Sequence, residues 1–234
     1  MTGSTRNKMT LNQAVKTSPA GQGRWLMTVV LLCLVAGCGG GDKAPGPVVM
    51  DEAEQEQWEI ALVEMRIEKN EALMDSTRTS LPLADLASFE GLNYYYPEPS
   101  LRFRVPFEAE SKTDTVILEK KKGQMVPYLR KGRVSFRADG KTHSLSVFGP
   151  ADPAQGDYLW LPFYDATNES ETYAGGRYLD LKVEANDTVE LDFNYAYNPL
   201  CDYNPTKYNC TLPPPENNLP FAVRAGEKRY QLTE

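Results

Sequence analysis

In 234 residues, 25 Lys and Arg stand against 32 Asp and Glu, for a formal net charge of −7. That balance excludes capture of nucleic acid, or of an anionic lipid surface, by bulk electrostatics. One histidine and four cysteines leave little material for a zinc site, and the length is enough for one domain with a real core.

Residues 25–38 read Trp-Leu-Met-Thr-Val-Val-Leu-Leu-Cys-Leu-Val-Ala-Gly-Cys, behind Arg6, Lys8, Lys16 and Arg24 and with no acidic residue before Cys38. A basic start, a short apolar run and a small-residue exit form a secretory signal, too short to span a bilayer comfortably. Val35-Ala36-Gly37-Cys38 matches the lipobox of bacterial lipoproteins. Residues 1–37 are therefore expected to be removed, leaving Cys38 lipidated and the chain anchored in the bacterial cell envelope. The membrane contact is then the lipid alone, which needs more than one acyl chain to hold.

Gly and Pro dominate residues 38–50, which read as a flexible tether that cannot bury a core. Residues 51–234 are expected to form a single, mostly β domain that opens on a helix at about 51–75. Asp51 and Glu54 have the spacing of a capping box. Trp58, Ala61, Leu62, Met65, Ala72 and Leu73 share one face, and Ile60, Val63, Ile67 and Met74 form a second stripe nearly opposite. Two stripes imply a helix touching two things; core packing plus a covering loop is the expected account, ahead of a partner's groove.

Beyond Pro82 the period changes to two. Leu101, Phe103, Val105 and Phe107 alternate with Arg102, Arg104 and Glu108. Short apolar runs recur near 114–119, 124–129, 133–138, 141–148, 158–164, 177–183, 188–195 and 219–224. Asp139-Gly140 between two alternating runs is a two-residue hairpin signal that sets Phe136 opposite His143 and Val134 opposite Leu145. Many short strands punctuated by Gly and Pro predict a mainly β fold: an antiparallel sandwich or barrel-like domain with one N-terminal helix. Cys33 leaves with the signal and Cys38 takes the lipid, so Cys201 and Cys210 are expected to form a disulfide outside the reducing cytosol.

The polar residues concentrate between Leu161 and Glu227. Pro162–Thr167 has the pattern Pro-Phe-x-Asp-x-Thr, and Tyr173–Tyr178 has Tyr-x-Gly-Gly-Arg-Tyr. Asp192–Cys201 has Asp-Phe-Asn-x-Ala-Tyr-Asn-Pro-x-Cys, and Pro213–Asn217 has Pro-Pro-x-Glu-Asn. This combination resembles the uncharacterised domain-of-unknown-function family 1684, over roughly residues 55–230. The resemblance implies a family whose short members are often secreted or lipid-anchored, and implies no activity.

Residue chemistry carries the rest. Arg177 shares parity with Leu179, Leu181 and Val183, so it faces inward, where a guanidinium needs an acidic partner. Asp165, Asp192 and Glu216 are the candidates for that pairing and, as paired carboxylates, for hydrolytic catalysis of envelope or extracellular material. Tyr173, Arg177, Asn194, Tyr197, Asn198 and Asn217 are the candidate ligand-binding groups for a small polar ligand or an envelope protein. A third reading makes all of them a network that holds a coil region together, in a purely structural envelope component. His143 reads as a packed histidine. No metal or cofactor is expected: Asp165-Ala-Thr-Asn-Glu-Ser-Glu offers oxygens without the calcium-loop pattern, and no phosphate-binding glycine loop is present.

Overall fold

A computed structural model describes residues 44–230; the signal segment, Cys38 and the first part of the tether lie outside them. Six strands are joined in chain order: β1 (Arg102–Glu119), β2 (Met125–Ala138), β3 (Lys141–Pro150), β4 (Leu159–Phe163), β5 (Arg177–Leu181) and β6 (Thr188–Asp192). They form one sheet in the order β5-β4-β3-β2-β1-β6, with every neighbouring pair antiparallel. The two edge strands are consecutive in the chain, and Val183, just past β5, pairs with Val189 on β6, so the sheet curls into a half-barrel. The fold is thus mainly antiparallel β with an N-terminal helix. Of the sandwich and barrel-like forms expected, the barrel-like one is observed.

Register explains the core. Phe103 lies opposite Leu191, Val134 opposite Leu145 and Leu161 opposite Leu179. Because side chains alternate along a strand, these pairs all fall on the inner face. Phe103, Phe136, Phe163 and Phe193 are fully buried there, with ring centroids 4.8 Å apart for Phe103–Phe136 and 5.2 Å for Phe163–Phe193. The β2–β3 hairpin turns at Asp139 and Gly140, both with positive φ (49° and 69°), the backbone a type I′ turn needs. His143 packs between Phe136 and Phe221.

Several separate apolar runs merge. Those at 101–108 and 114–119 belong to one 18-residue β1, interrupted by a bulge between Ala109 and Asp114. At Gly132 on β2, opposite that region, a Cβ would meet the Phe107 ring and the Glu108 carbonyl at 2.6 Å, so only glycine fits. The run at 219–224 is not a strand. Leu219, Val223 and Ala225 close the core from an irregular segment: Leu219 N and Phe221 O bond the Tyr164 and Ala166 backbone, while both backbone groups of Val223 bond to side chains.

The helix α1 (Glu52–Met74) has the expected capping box, with Glu54 N bonded to Asp51 at 2.9 Å and Asp51 N to Glu54 at 3.0 Å. Trp58, Leu62 and Leu73 are buried. The Trp58 indole N–H donates to Asp192 at the end of β6 (2.7 Å), which docks the helix on the outer side of the β1–β6 edge. The second stripe departs from expectation. Ile60, Val63, Ile67 and Met74 are each about half exposed, and no described loop covers them. The two stripes lie on opposite sides of one cylinder, and the sheet reaches only one of them.

Trp58→Phe keeps the ring and removes the donor, leaving one Asp192 oxygen without its hydrogen bond. The expected loss is about 1.5–3 kcal/mol in chemical denaturation, the range for a bond to a charged group. An unchanged midpoint would show that Asp192 does not hold the helix.

Candidate functional site

The inward parity of Arg177 is realised. It opens β5 opposite Phe163, is fully buried and lies over the Phe163 ring at 5.3 Å. Its Nη2 donates to Asp165 (2.8 Å) and to the Val223 carbonyl (2.7 Å). Its Nη1 donates to the carbonyls of Ala225 and Glu227. Asp165 is equally engaged: its other oxygen accepts from Thr167 N, Thr167 Oγ1 and Val223 N. Gly176 permits the entry, with φ of 79° and the Phe163 carbonyl 2.7 Å from where a Cβ would sit.

The other two carboxylates lie elsewhere. Asp192 is under α1, where it accepts from Trp58 and from the backbone and side chain of Asn194. Glu216 is at the surface, paired with Arg130 at 3.0 Å. The three acids therefore belong to three separate contacts. Asn194 clamps the backbone of Glu98, and Asn217 bonds Ser146 on β3 and Pro162 on β4, both from fully buried positions. Tyr173 is buried, with its hydroxyl bonded to Lys121 (2.6 Å).

Tyr197 and Asn198 lead to a different place. Trp160 pairs with Asp180 and Pro162 with Tyr178 across β4–β5, which puts them on the face opposite Leu161 and Leu179. Tyr197 extends this outer surface by exchanging both backbone bonds with Tyr178. The rings interlock: Trp160–Tyr178 at 4.8 Å edge-on, Tyr128–Trp160 at 5.0 Å and Tyr178–Tyr197 at 5.8 Å. Above them opens a cleft of about 870 Å³, walled by the end of α1 with Lys69 and Leu73, by Tyr158, and by the segment carrying Cys210 and Thr211. Cys201 and Cys210 are disulfide-bonded, with Cα atoms 5.9 Å apart. The bridge holds that wall against the short helix α2 (Leu200–Tyr203).

One buried acid ties three wall residues together. Glu227 is 1 % exposed and forms an ion pair with Lys69. It also accepts the Tyr203 hydroxyl (2.5 Å) and the Asn198 backbone N–H (2.9 Å). Lys69 lies over the Tyr197 ring at 5.0 Å. Burial, reinforced by the Glu227 charge, holds the Tyr203 phenol well above its usual range, so it stays a donor. Asp180 accepts the Tyr197 hydroxyl at 3.1 Å; burial pushes its carboxyl up, against the pull of that bond and of Lys69. Behind the wall, burial pushes Asp202 up to about 6. It accepts from Asn198 Nδ2 and Tyr230 N, both at 2.8 Å.

Sequence reasoning missed Lys69, Trp160, Tyr178, Asp180, Asp202 and Glu227. Trp160, Tyr178 and Asp180 were legible as the outward parity of their strands, and Glu227 stood in the Ala-Gly-Glu-Lys end of the polar block. Lys69 had no signal beyond a lysine on a helix.

The motifs around this fold define a family. The chain belongs to a family described as a protein of unknown function, DUF1684, whose model matches residues 87–228. Those residues hold all six strands, the disulfide and Glu227, whereas α1 precedes them. The chain is similar to an uncharacterized protein of Haloarcula marismortui solved by solution NMR. The two are 35% identical, over 76% of this chain and 97% of that one, with a TM-score of 0.58. No curated protein matches the chain.

Arg177→Met leaves Asp165 buried without its cation, at an expected cost of about 3–5 kcal/mol. Arg177→Lys should also destabilise, because an ammonium cannot serve the planar fork of acceptors. Urea midpoints of both variants check this; wild-type stability in either would show that the network carries little.

Asp202 sets a pH signature. A carboxyl raised on folding binds its proton more tightly in the native state. Its stabilising contribution is therefore full below the unfolded value of about 3.9 and is lost as pH rises through about 6. Asp202→Asn, which keeps an acceptor oxygen, should match wild type near pH 4 and gain on it above pH 6. Melting curves across that range read the difference; a constant offset would refute the assignment.

Proposed function

We propose that this protein is a lipid-anchored binding protein of the bacterial cell envelope, whose aromatic cleft takes a small polar ligand bearing a ring. The observation that carries the reading is the cleft itself. About 870 Å³ of concave space is lined by Tyr128, Tyr158, Trp160, Tyr178, Tyr197 and Tyr203, with a few polar groups among them. That is the size and make-up of small-molecule sites, which combine apolar or aromatic walls with sparse polar groups that set orientation. The anchor rests on the basic, apolar and lipobox pattern that ends at Cys38.

Binding is favoured over hydrolysis by the acids. Asp180 is the one carboxylate among the lining residues, whereas glycoside cleavage by paired carboxylates needs two acids facing one bond. Arg177, Asn194 and Asn217 do not line the cleft, and their hydrogen bonds go to the protein.

With the full chain in detergent, the Trp160 indole N–H signal is expected to shift saturably with a bound ring-bearing solute, while that of Trp58 stays fixed. Equal movement of both, or of neither across a panel of small polar solutes, would sink the cleft as a ligand site. Cys38→Ala should release the chain from the membrane fraction with an unchanged melting temperature. Retention in that fraction would overturn the anchor.

A further inference from the structure

Two cations in the cleft wall lack a direct partner among the described residues, although, after the Thr77 hydrogen bonds, the Arg78 charge also helps hold the exposed Asp75 carboxyl down. Arg78, in the segment after α1, and Lys120, at the end of β1 next to the disulfide wall, both line the cleft. Neither makes an ion pair or a side-chain hydrogen bond with another described residue. Their neighbours do: Lys121 bonds Tyr173, Lys122 bonds the Thr206 carbonyl and Lys69 pairs with Glu227. In a chain of net charge −7, a cavity lined by Lys69, Arg78 and Lys120 against one carboxylate, Asp180, is a local reversal of sign.

The remaining wall chemistry is of two kinds. Tyr158 offers an open ring face, since it is 42% exposed while Trp160 and Tyr178 are already stacked beneath. Hydroxyl donors are wanted as well. Asp180 keeps free lone pairs after taking the Tyr197 hydroxyl. Asn198 is 1 % exposed, and its amide N–H groups go to Asp202 and to the Lys228 carbonyl. Its Oδ1 has no donor among the described residues but is itself buried in the wall, which leaves Asp180 as the acceptor open to the cleft.

We propose that the ligand of this cleft is an anionic sugar: a hydroxylated ring whose face stacks on Tyr158, whose hydroxyls donate to Asp180, and whose carboxylate or phosphate meets Arg78 and Lys120. This deepens the proposed function and rests on it. A quaternary ammonium would suit the rings and Asp180, but Arg78 and Lys120 repel it. A neutral sugar leaves both cations unused.

The test uses the full chain and follows the Trp160 indole signal during titration with glucuronate, glucose 6-phosphate, glucose and choline. Glucuronate, glucose 6-phosphate or both should act at lower concentration than glucose, and which of them responds tells carboxylate from phosphate. Added salt should weaken the anions. Arg78→Ala and Lys120→Ala should each weaken them about two- to fivefold, as for exposed ion pairs, without changing the response to glucose. Arg104→Ala removes the same charge outside the cleft, where Arg104 faces Glu184 at 3.9 Å, and should change nothing. Glucose as strong as the anions, choline strongest, or equal loss in all three variants would overturn the anionic class while the cleft reading stands. No Trp160 shift with any of the four would overturn both.

Discussion

A single guanidinium organises the domain. Arg177 cannot shed its proton, so every folded conformation must supply acceptors for a full charge in a fully buried site. The acceptors it finds are one carboxylate and the carbonyls of Val223, Ala225 and Glu227. Those carbonyls come from a segment with the apolar content of a strand; its first part pairs briefly with the Tyr164–Ala166 backbone, and from Val223 on its carbonyls turn to Arg177 instead. The segment lies across the core as a lid of Leu219, Val223 and Ala225, held by polar bonds where a sheet would have used its ladder.

The same contact places Glu227. Once the 223–227 backbone is fixed on Arg177, the Glu227 side chain lies behind the cleft, where it joins Lys69 from the helix, Tyr203 from the stapled loop and Asn198. Core and cleft are thus mechanically continuous, although no group of the Arg177–Asp165 pair lines the cleft. A buried acid with a cation and two further donors is well satisfied, and breaking any one contact leaves a charge in a low-dielectric site.

Strand parity divides the labour between the sheet's faces. On β4 and β5 the inner residues Leu161, Phe163 and Leu179 are dry core. One residue along, Trp160 and Tyr178 form an outer aromatic layer that α1 and the disulfide segment only partly cover. The half-barrel needs that second layer because β4, Leu159–Phe163, is apolar on both faces and Tyr178 of β5 adds a ring to its outer side. What remains uncovered is the cleft.

The helix with its capping box, the Asp139-Gly140 hairpin and its register, the inward Arg177, the Cys201–Cys210 bridge and the mostly antiparallel β class were all legible in the sequence. Each depends on residues close in the chain, on a period of two or on simple cysteine arithmetic, and such signals survive without knowledge of what packs where. Which acid meets Arg177 was not legible, because Asp165, Asp192 and Glu216 all satisfy the charge requirement and only the path of the loops separates them. Nor was the cleft, whose walls come from α1, β2, β4–β5 and the 197–211 segment. Lys69 and Glu227 lie 158 positions apart and meet only after the sheet has curled. Local pattern determined the elements and the faces they bury; the closure of the half-barrel, a long-range packing event, decided which polar groups share a site.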